Sequence, residues 1–173
     1  FAEKKKGSNK IATVFIGDGT LGEGVVYETL NIASKWELPL LIVVENNRYA
    51  QSTKIEKTLA GSISDRFRAF DISVDELSTF DALEIFNASS DIVQNVRNDS
   101  KPHCLILNTY RFASHSKSDD GRDPEEINTW ASNDPLFVFD KYIDEEYKIA
   151  EKNRAYDEIN KIAQKAIDSE FAK

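Results

Sequence analysis

A doubly wound α/β domain, with a mostly parallel sheet and helices on both faces, is the fold class this sequence predicts. Three observations carry that expectation. Short β-rich runs alternate with segments of helical apolar period. One run, LLIVVE at 40 to 45, is apolar without interruption, as suits a strand covered on both faces. Two successive strand ends bear polar groups, Asp18 after the first and Asn46 with Asn47 after the second, where open α/β sheets bind their ligands.

The opening FAEKKKGSNK reads as the last turn of a helix: Lys4 to Lys6 suit the negative end of its dipole and Gly7 is a stop. A start at that point is expected of a piece whose upstream segment packs on the sheet. IATVFI, 11 to 16, is a strand ending at Gly17-Asp18-Gly19, and the period from 24 to 36, with Val25, Leu30, Ile32 and Ala33 apolar, is a helix. Pro39 closes the connection to the strand at 40 to 45, which completes a βαβ unit. The alternation continues with a short helix at 62 to 70, a weak strand at 72 to 74, an amphipathic helix at 80 to 97 and a strand at 103 to 110. RFASHSKSDDGRDPE, 111 to 125, has no apolar period and is a long loop, a kind that is usually functional. Asp123 then caps a helix with Pro124 at its first position. From 144 onward dense charge and sparse apolar residues predict a solvated helical tail, so the expected units are 1–143 and 144–173.

Composition narrows the function. The 173 residues hold 22 Lys plus Arg against 30 Asp plus Glu, a net charge of −8, which weighs against nucleic acid as a partner. With 40% hydrophobic and 30% charged residues the chain is an ordinary globular domain, long enough to stand without a disulfide. Its single Cys104, in HCLILNTY, is expected to be a buried thiol. No apolar run approaches the length of a membrane span and no signal peptide is evident, so a cytoplasmic location is expected, or the mitochondrial matrix in a eukaryote.

Asp18 and Asn47 offer one carboxylate and one amide oxygen, too few for a calcium cage but enough for Mg²⁺, which keeps waters and takes further ligands from a phosphorylated cofactor. Gly17 and Gly19 allow close backbone approach to a diphosphate, and a following helix N-terminus attracts anions. Taken singly, a GDG is most often a turn and an Asn pair a loop; it is their conjunction at neighbouring strand ends that points to a site.

The blocks GDGTLGEG, ENNRYA and TYRFASHSKSDD, in that order and spacing, resemble the alpha subunit of thiamine-diphosphate-dependent 2-oxo acid dehydrogenases of the pyruvate, branched-chain and acetoin types. The similarity runs from about residue 10 to the helix beginning at Pro124 and continues weakly through DPLFVF. It implies thiamine diphosphate and Mg²⁺ as cofactors, with Asp18, the Asn47 side chain and the backbone carbonyl of Tyr49 as metal ligands. Gly17, Gly19 and Thr20 would contact the diphosphate, His115 would reach the cofactor's phosphates as the candidate catalytic group, and Arg111 would hold the loop. Ser116 matches a serine that is phosphorylated in mitochondrial relatives. Relatives often carry a second loop histidine where Ala113 and Ser114 stand here.

The resemblance further implies a beta-type subunit carrying the aminopyrimidine side of the site and its glutamate, with the helix after the GDG turn presenting Val25, Val26 and Tyr27 toward it. A 2-oxo acid substrate and a lipoyl acyltransferase or other acyl carrier follow. Two alternatives stand beside this one: a half-subunit of a transketolase-like enzyme passing a two-carbon unit to another acceptor, such as a carrier protein, and a non-catalytic assembly domain. Intact GDG and NN blocks weigh against the last.

Overall fold

The computed structural model describes residues 1–116 and 120–171. Helix α1 (Ala2–Lys6) ends at Gly7, whose φ of 59° supplies the left-handed stop. Strand β1 (Ala12–Gly17) leads through a 3₁₀ turn, Asp18–Gly22, into α2 (Gly24–Lys35) and back to β2 (Leu40–Asn46). A small hairpin follows, β3 (Tyr49–Ala50) with β4 (Thr53–Lys54), then α3 (Ile63–Arg68) and β5 (Ser73–Leu77). Helix α4 (Ala82–Asp99) returns the chain to β6 (His103–Asn108), and α5 (Pro124–Ala131), α6 (Pro135–Phe139) and α7 (Glu145–Ile167) complete it.

The main sheet has four parallel strands in the order β1-β2-β6-β5, so the expected doubly wound α/β architecture is observed. Its two faces explain the uninterrupted run in β2. Ile42 and Val44 meet Leu30 of α2, Phe67 of α3, Cys104 and Ile106 on one side. Leu41 and Val43 meet Ile92 and Val96 of α4 with Leu105 on the other. Each such side chain removed from water contributes about 1.5–3 kcal/mol, and a period-2 pattern would leave half of them facing solvent. Burial also pushes the Cys104 thiol well above its usual range, leaving it an inert member of the core.

Helix starts follow the sequence signals. Ser62 accepts from the Asp65 amide at 3.0 Å, and Asp123 from the Glu125 amide at 2.9 Å with Pro124 behind it. Asp81 caps α4 through the Leu83 amide at 2.9 Å and also accepts from Tyr142 Oη at 2.6 Å and Lys141 Nζ at 2.8 Å. Lys141 and then Tyr142 hold its carboxyl down at about 2, against an ordinary 3.8. A lowered carboxyl pKa stabilises the fold above the unfolded value and loses that contribution as pH falls through the folded one. Asp81→Ala is therefore expected to lower Tm at neutral pH, and the gap from wild type to close between pH 4 and pH 2; a constant gap across that window would refute the linkage.

Three features differ from the sequence expectation. The hairpin at 49–54 and the turn of helix at Pro135–Phe139 carry too few residues to show a period. Of Val25, Val26 and Tyr27 only Val25 points outward, 63% exposed, while Val26 and Tyr27 pack on the core and Tyr27 donates to the Leu21 carbonyl at 2.5 Å. Helix α7 buries no residue, yet it exposes Ile149, Tyr156, Ile159, Ile162 and Ile167, more apolar surface than a solvated tail requires. Among the described residues no helix is long and apolar enough to cross a membrane.

Candidate functional site

Turns from the carboxyl ends of three neighbouring strands, β1, β2 and β6, gather at one edge of the sheet. Asp18 opens the first and is only 2% exposed. Its Oδ1 accepts from the Gly19 amide at 2.8 Å, whereas Oδ2 is buried without a hydrogen-bond partner. Burial pushes its carboxyl pKa up, opposed by the nearby backbone amides of Gly19, Arg48 and Tyr49. A buried carboxylate oxygen left without a donor costs free energy, which a proton or a bound cation relieves.

The second turn folds on two asparagines. Asn46 Oδ1 accepts from the Arg48 amide at 3.3 Å and Asn47 Oδ1 from the Tyr49 amide at 2.9 Å, an Asx pattern that tolerates Arg48 at φ 66°. Asn46 Nδ2 donates to Asn108 Oδ1 at 2.7 Å, and Asn108 in turn donates to Glu76 and Ser78, both at 2.9 Å. This relay fixes the second turn to β6 and to the end of β5.

The first two turns are in contact. A Cβ placed on Gly19 would stand 2.7 Å from Ala50 Cβ, so glycine there is a packing requirement. Gly19→Ala is expected to cost about 1–3 kcal/mol in urea unfolding, and adding Ala50→Gly should recover most of it. Failure of the second change to rescue would show that the contact is not the cause.

Around the third turn, Tyr49 is buried and its hydroxyl donates to Glu126 Oε1 at 2.7 Å; Tyr110 Oη donates to the same oxygen at 3.2 Å and Lys54 Nζ to Oε2 at 3.3 Å. The Arg122 guanidinium lies between the two tyrosines, 5.6 Å from the Tyr49 ring and 5.3 Å from that of Tyr110. Its side chain is 4% exposed. It donates to the carbonyls of Arg111, Phe112 and Ala113 and to Asp120, whose carboxyl it holds down at about 2. Trp130 of α5 stacks on Tyr110 at 5.2 Å with Arg48 over its ring. Arg111 donates to the Gln51 carbonyl at 2.8 Å, which joins the loop to the hairpin. Between hairpin and loop lies a cavity of about 360 Å³ lined by Lys54, Lys57, Arg111 and Arg122 among others; Asp18 does not line it.

Of the residues singled out in the sequence, Gly17, Asp18, Gly19 and Thr20 lie at the end of β1 and on the 3₁₀ turn after it, and Asn47 and Tyr49 in the turn packed against it. Arg111 is half-buried against the hairpin, and His115 and Ser116 are exposed farther along the loop. Sequence reasoning missed Arg122, Glu126, Tyr110, Trp130 and Arg48, which come from three separate stretches and carry no shared spacing. No cluster of three or more His, Cys, Asp or Glu side chains exists among the described residues. The available donors are one carboxylate, one amide and backbone carbonyls, a hard-oxygen set that fits a small divalent ion needing outside ligands.

The family model described as dehydrogenase E1 component matches residues 1–173. The chain belongs to that family. It is 36% identical over 146 residues to the pyruvate dehydrogenase E1 component subunit alpha of Rickettsia felis, covering 83% of this chain and 45% of that protein. With the protein of the same description from Rickettsia typhi it shares 34% over 171 residues, 94% of this chain and 52% of the relative. The chain thus spans about half the length of the curated relatives it matches. A transketolase from Leishmania mexicana superposes with a TM-score of 0.50 at 21% identity, over 57% of this chain and 15% of that one, a likeness of fold.

Proposed function

We propose that this chain supplies the metal and diphosphate half of a thiamine diphosphate site, as an alpha-type subunit, or part of one, of a 2-oxo acid dehydrogenase. The observation that supports it most is the buried, unpartnered Oδ2 of Asp18, set on a turn packed against the Asn47–Tyr49 turn. Asp18, Asn47 and the Tyr49 carbonyl would hold Mg²⁺; Gly17, Gly19 and Thr20 would face the diphosphate, with Arg111 holding the loop and His115 reaching the phosphates. When bound, thiamine diphosphate supplies the electron sink for decarboxylation of a 2-oxo acid.

The chain's own residues bind and orient. Asp18 contributes the negative charge that a divalent ion needs inside the fold, the asparagine turn presents amide and carbonyl oxygens without further reorganisation, and the loop restricts water. A beta-type partner would supply the aminopyrimidine side of the site with its glutamate, and a lipoyl acyltransferase or comparable carrier would take the acyl unit. Exposed Phe15 on edge strand β1 and Val25 at the start of α2 support a surface that another chain covers. In this reading 144–173 is an appended helical unit and the enzyme works in the cytoplasm, or the matrix of a mitochondrion.

Decarboxylation of several 2-oxo acids, assayed with Mg²⁺ and thiamine diphosphate, tests the proposal. Turnover is expected only with a beta-type partner, and turnover by the isolated chain well above that of free cofactor would refute the division of the site.

A further inference from the structure

We propose that Glu126 is a positioning residue that ties the asparagine turn to the loop starting at Arg111, so that the two order as one unit. Its bearing on cofactor binding rests on the function proposed above; the coupling itself rests on geometry alone. Three donors from two segments, the hairpin and the residues after β6, converge on this carboxylate: Tyr49 Oη at 2.7 and 3.0 Å on its two oxygens, Lys54 Nζ at 3.3 Å and Tyr110 Oη at 3.2 Å. A carboxylate has about four acceptor sites, so these donors nearly fill it.

The two tyrosines mark junctions. Tyr49 is held at its amide by Asn47 Oδ1 and at its hydroxyl by Glu126, so both ends of the residue are fixed. Tyr110 immediately precedes Arg111, at the entry of the loop. Glu126 itself lies in the first turn of α5, just past the loop's exit at Asp123. Entry, exit and the asparagine turn are therefore anchored on one group.

An acidic residue in a first helical turn is ordinarily explained by the helix dipole. Here the side chain is turned instead onto two tyrosine hydroxyls, one of them on a residue 77 positions away, and the Tyr49 hydroxyl is the first cause of its lowered carboxyl pKa. The dipole alone requires neither contact. With the carboxylate gone, the buried Tyr49 hydroxyl loses its acceptor, and the ring that flanks Arg122 is free to tilt; the turn below it and the loop carbonyls held by Arg122 then loosen together.

Hydrogen exchange in the ligand-free 173-residue chain tests this, read at amides 48–50, 111–116 and, as an internal reference, 40–44. Glu126→Ala is expected to speed exchange about tenfold at the first two sets and to leave the reference strand unchanged. Glu126→Gln keeps one oxygen for the tyrosine hydroxyls and should restore most of the protection. Tyr49→Phe should affect both sets, and the double variant Tyr49→Phe with Glu126→Ala should fall short of the sum of the singles. Faster exchange in the loop alone, an equal rise in the reference strand, or additivity would each overturn the coupling. Calorimetric titration with Mg²⁺ and thiamine diphosphate runs in parallel: absence of binding by the wild-type chain in its assembled enzyme overturns the proposed function and leaves the exchange result to decide the coupling.

Discussion

Asp18→Asn is expected to move stability and cofactor binding in opposite directions. Burial raises the Asp18 carboxyl above its ordinary 3.8, so in the metal-free protein the native state takes up a proton more readily than the unfolded chain. The sign follows from proton linkage: a raised carboxyl pKa subtracts stability as pH climbs from 3.8 through the folded value, and the penalty is in full force above it. Replacing the carboxylate with a neutral amide of the same shape removes that penalty, and at neutral pH the metal-free Tm should rise by about 2–4 °C, with a gap from wild type that closes in acid. On the function proposed above the same change withdraws the proposed charged ligand, so affinity for Mg²⁺–thiamine diphosphate in the assembled enzyme should fall by more than about 100-fold. Differential scanning calorimetry across pH and isothermal titration check the two halves. An unchanged affinity would remove Asp18 from the metal site, and a lowered metal-free Tm would show that its carboxylate is satisfied in the native protein.

Loss of Arg122 should be the most damaging single change around the loop. Its guanidinium occupies the slot between Tyr49 and Tyr110 and serves three consecutive carbonyls, from Arg111 to Ala113, besides Asp120. Arg122→Ala leaves those acceptors without a donor and opens a void between two rings; a Tm lower by about 5–10 °C is expected. On the function proposed above, cofactor affinity should fall about tenfold, because the segment from Arg111 to Ala113 then loses the hydrogen bonds that hold it. Arg122→Lys should rescue little, since an ammonium is neither planar nor able to serve several carbonyls and stack at once. Full rescue by lysine would mean that charge alone matters and that the fork geometry is incidental.

What could be read from the sequence divides along the range of the interactions involved. β2 was legible because four successive apolar residues, Leu41 to Val44, can all be buried only in a strand covered twice. Asp123-Pro124 announced its helix because capping is a matter of two or three neighbouring residues. Asp18 and Asn47 could be placed at neighbouring strand ends only because both follow recognisable strands. Glu126 and Arg122 look like solvated charge in the sequence, and nothing local distinguishes them from Glu125 or Arg97. Their roles arise when the hairpin, the end of β6 and α5 meet, at separations of 72 and 77 positions from Lys54 and Tyr49 to Glu126. The hairpin itself was missed because its strands have two residues each and are held by the packing of Ala50 against Gly19 rather than by propensity.

The strand order sets the sequence in which this edge of the sheet can come into being. β1, α2 and β2 are consecutive, so Asp18 and the asparagine turn can be brought together by a stretch closed over a short distance. β6, by contrast, must enter between β2 and β5, and the Asn46–Asn108 hydrogen bond joins residues 62 positions apart. Loop-closure entropy for such a span is paid before any contact rewards it. In refolding the aspartate and asparagine turns are expected to meet first, and the Arg122 and Glu126 contacts to close once β6 has docked.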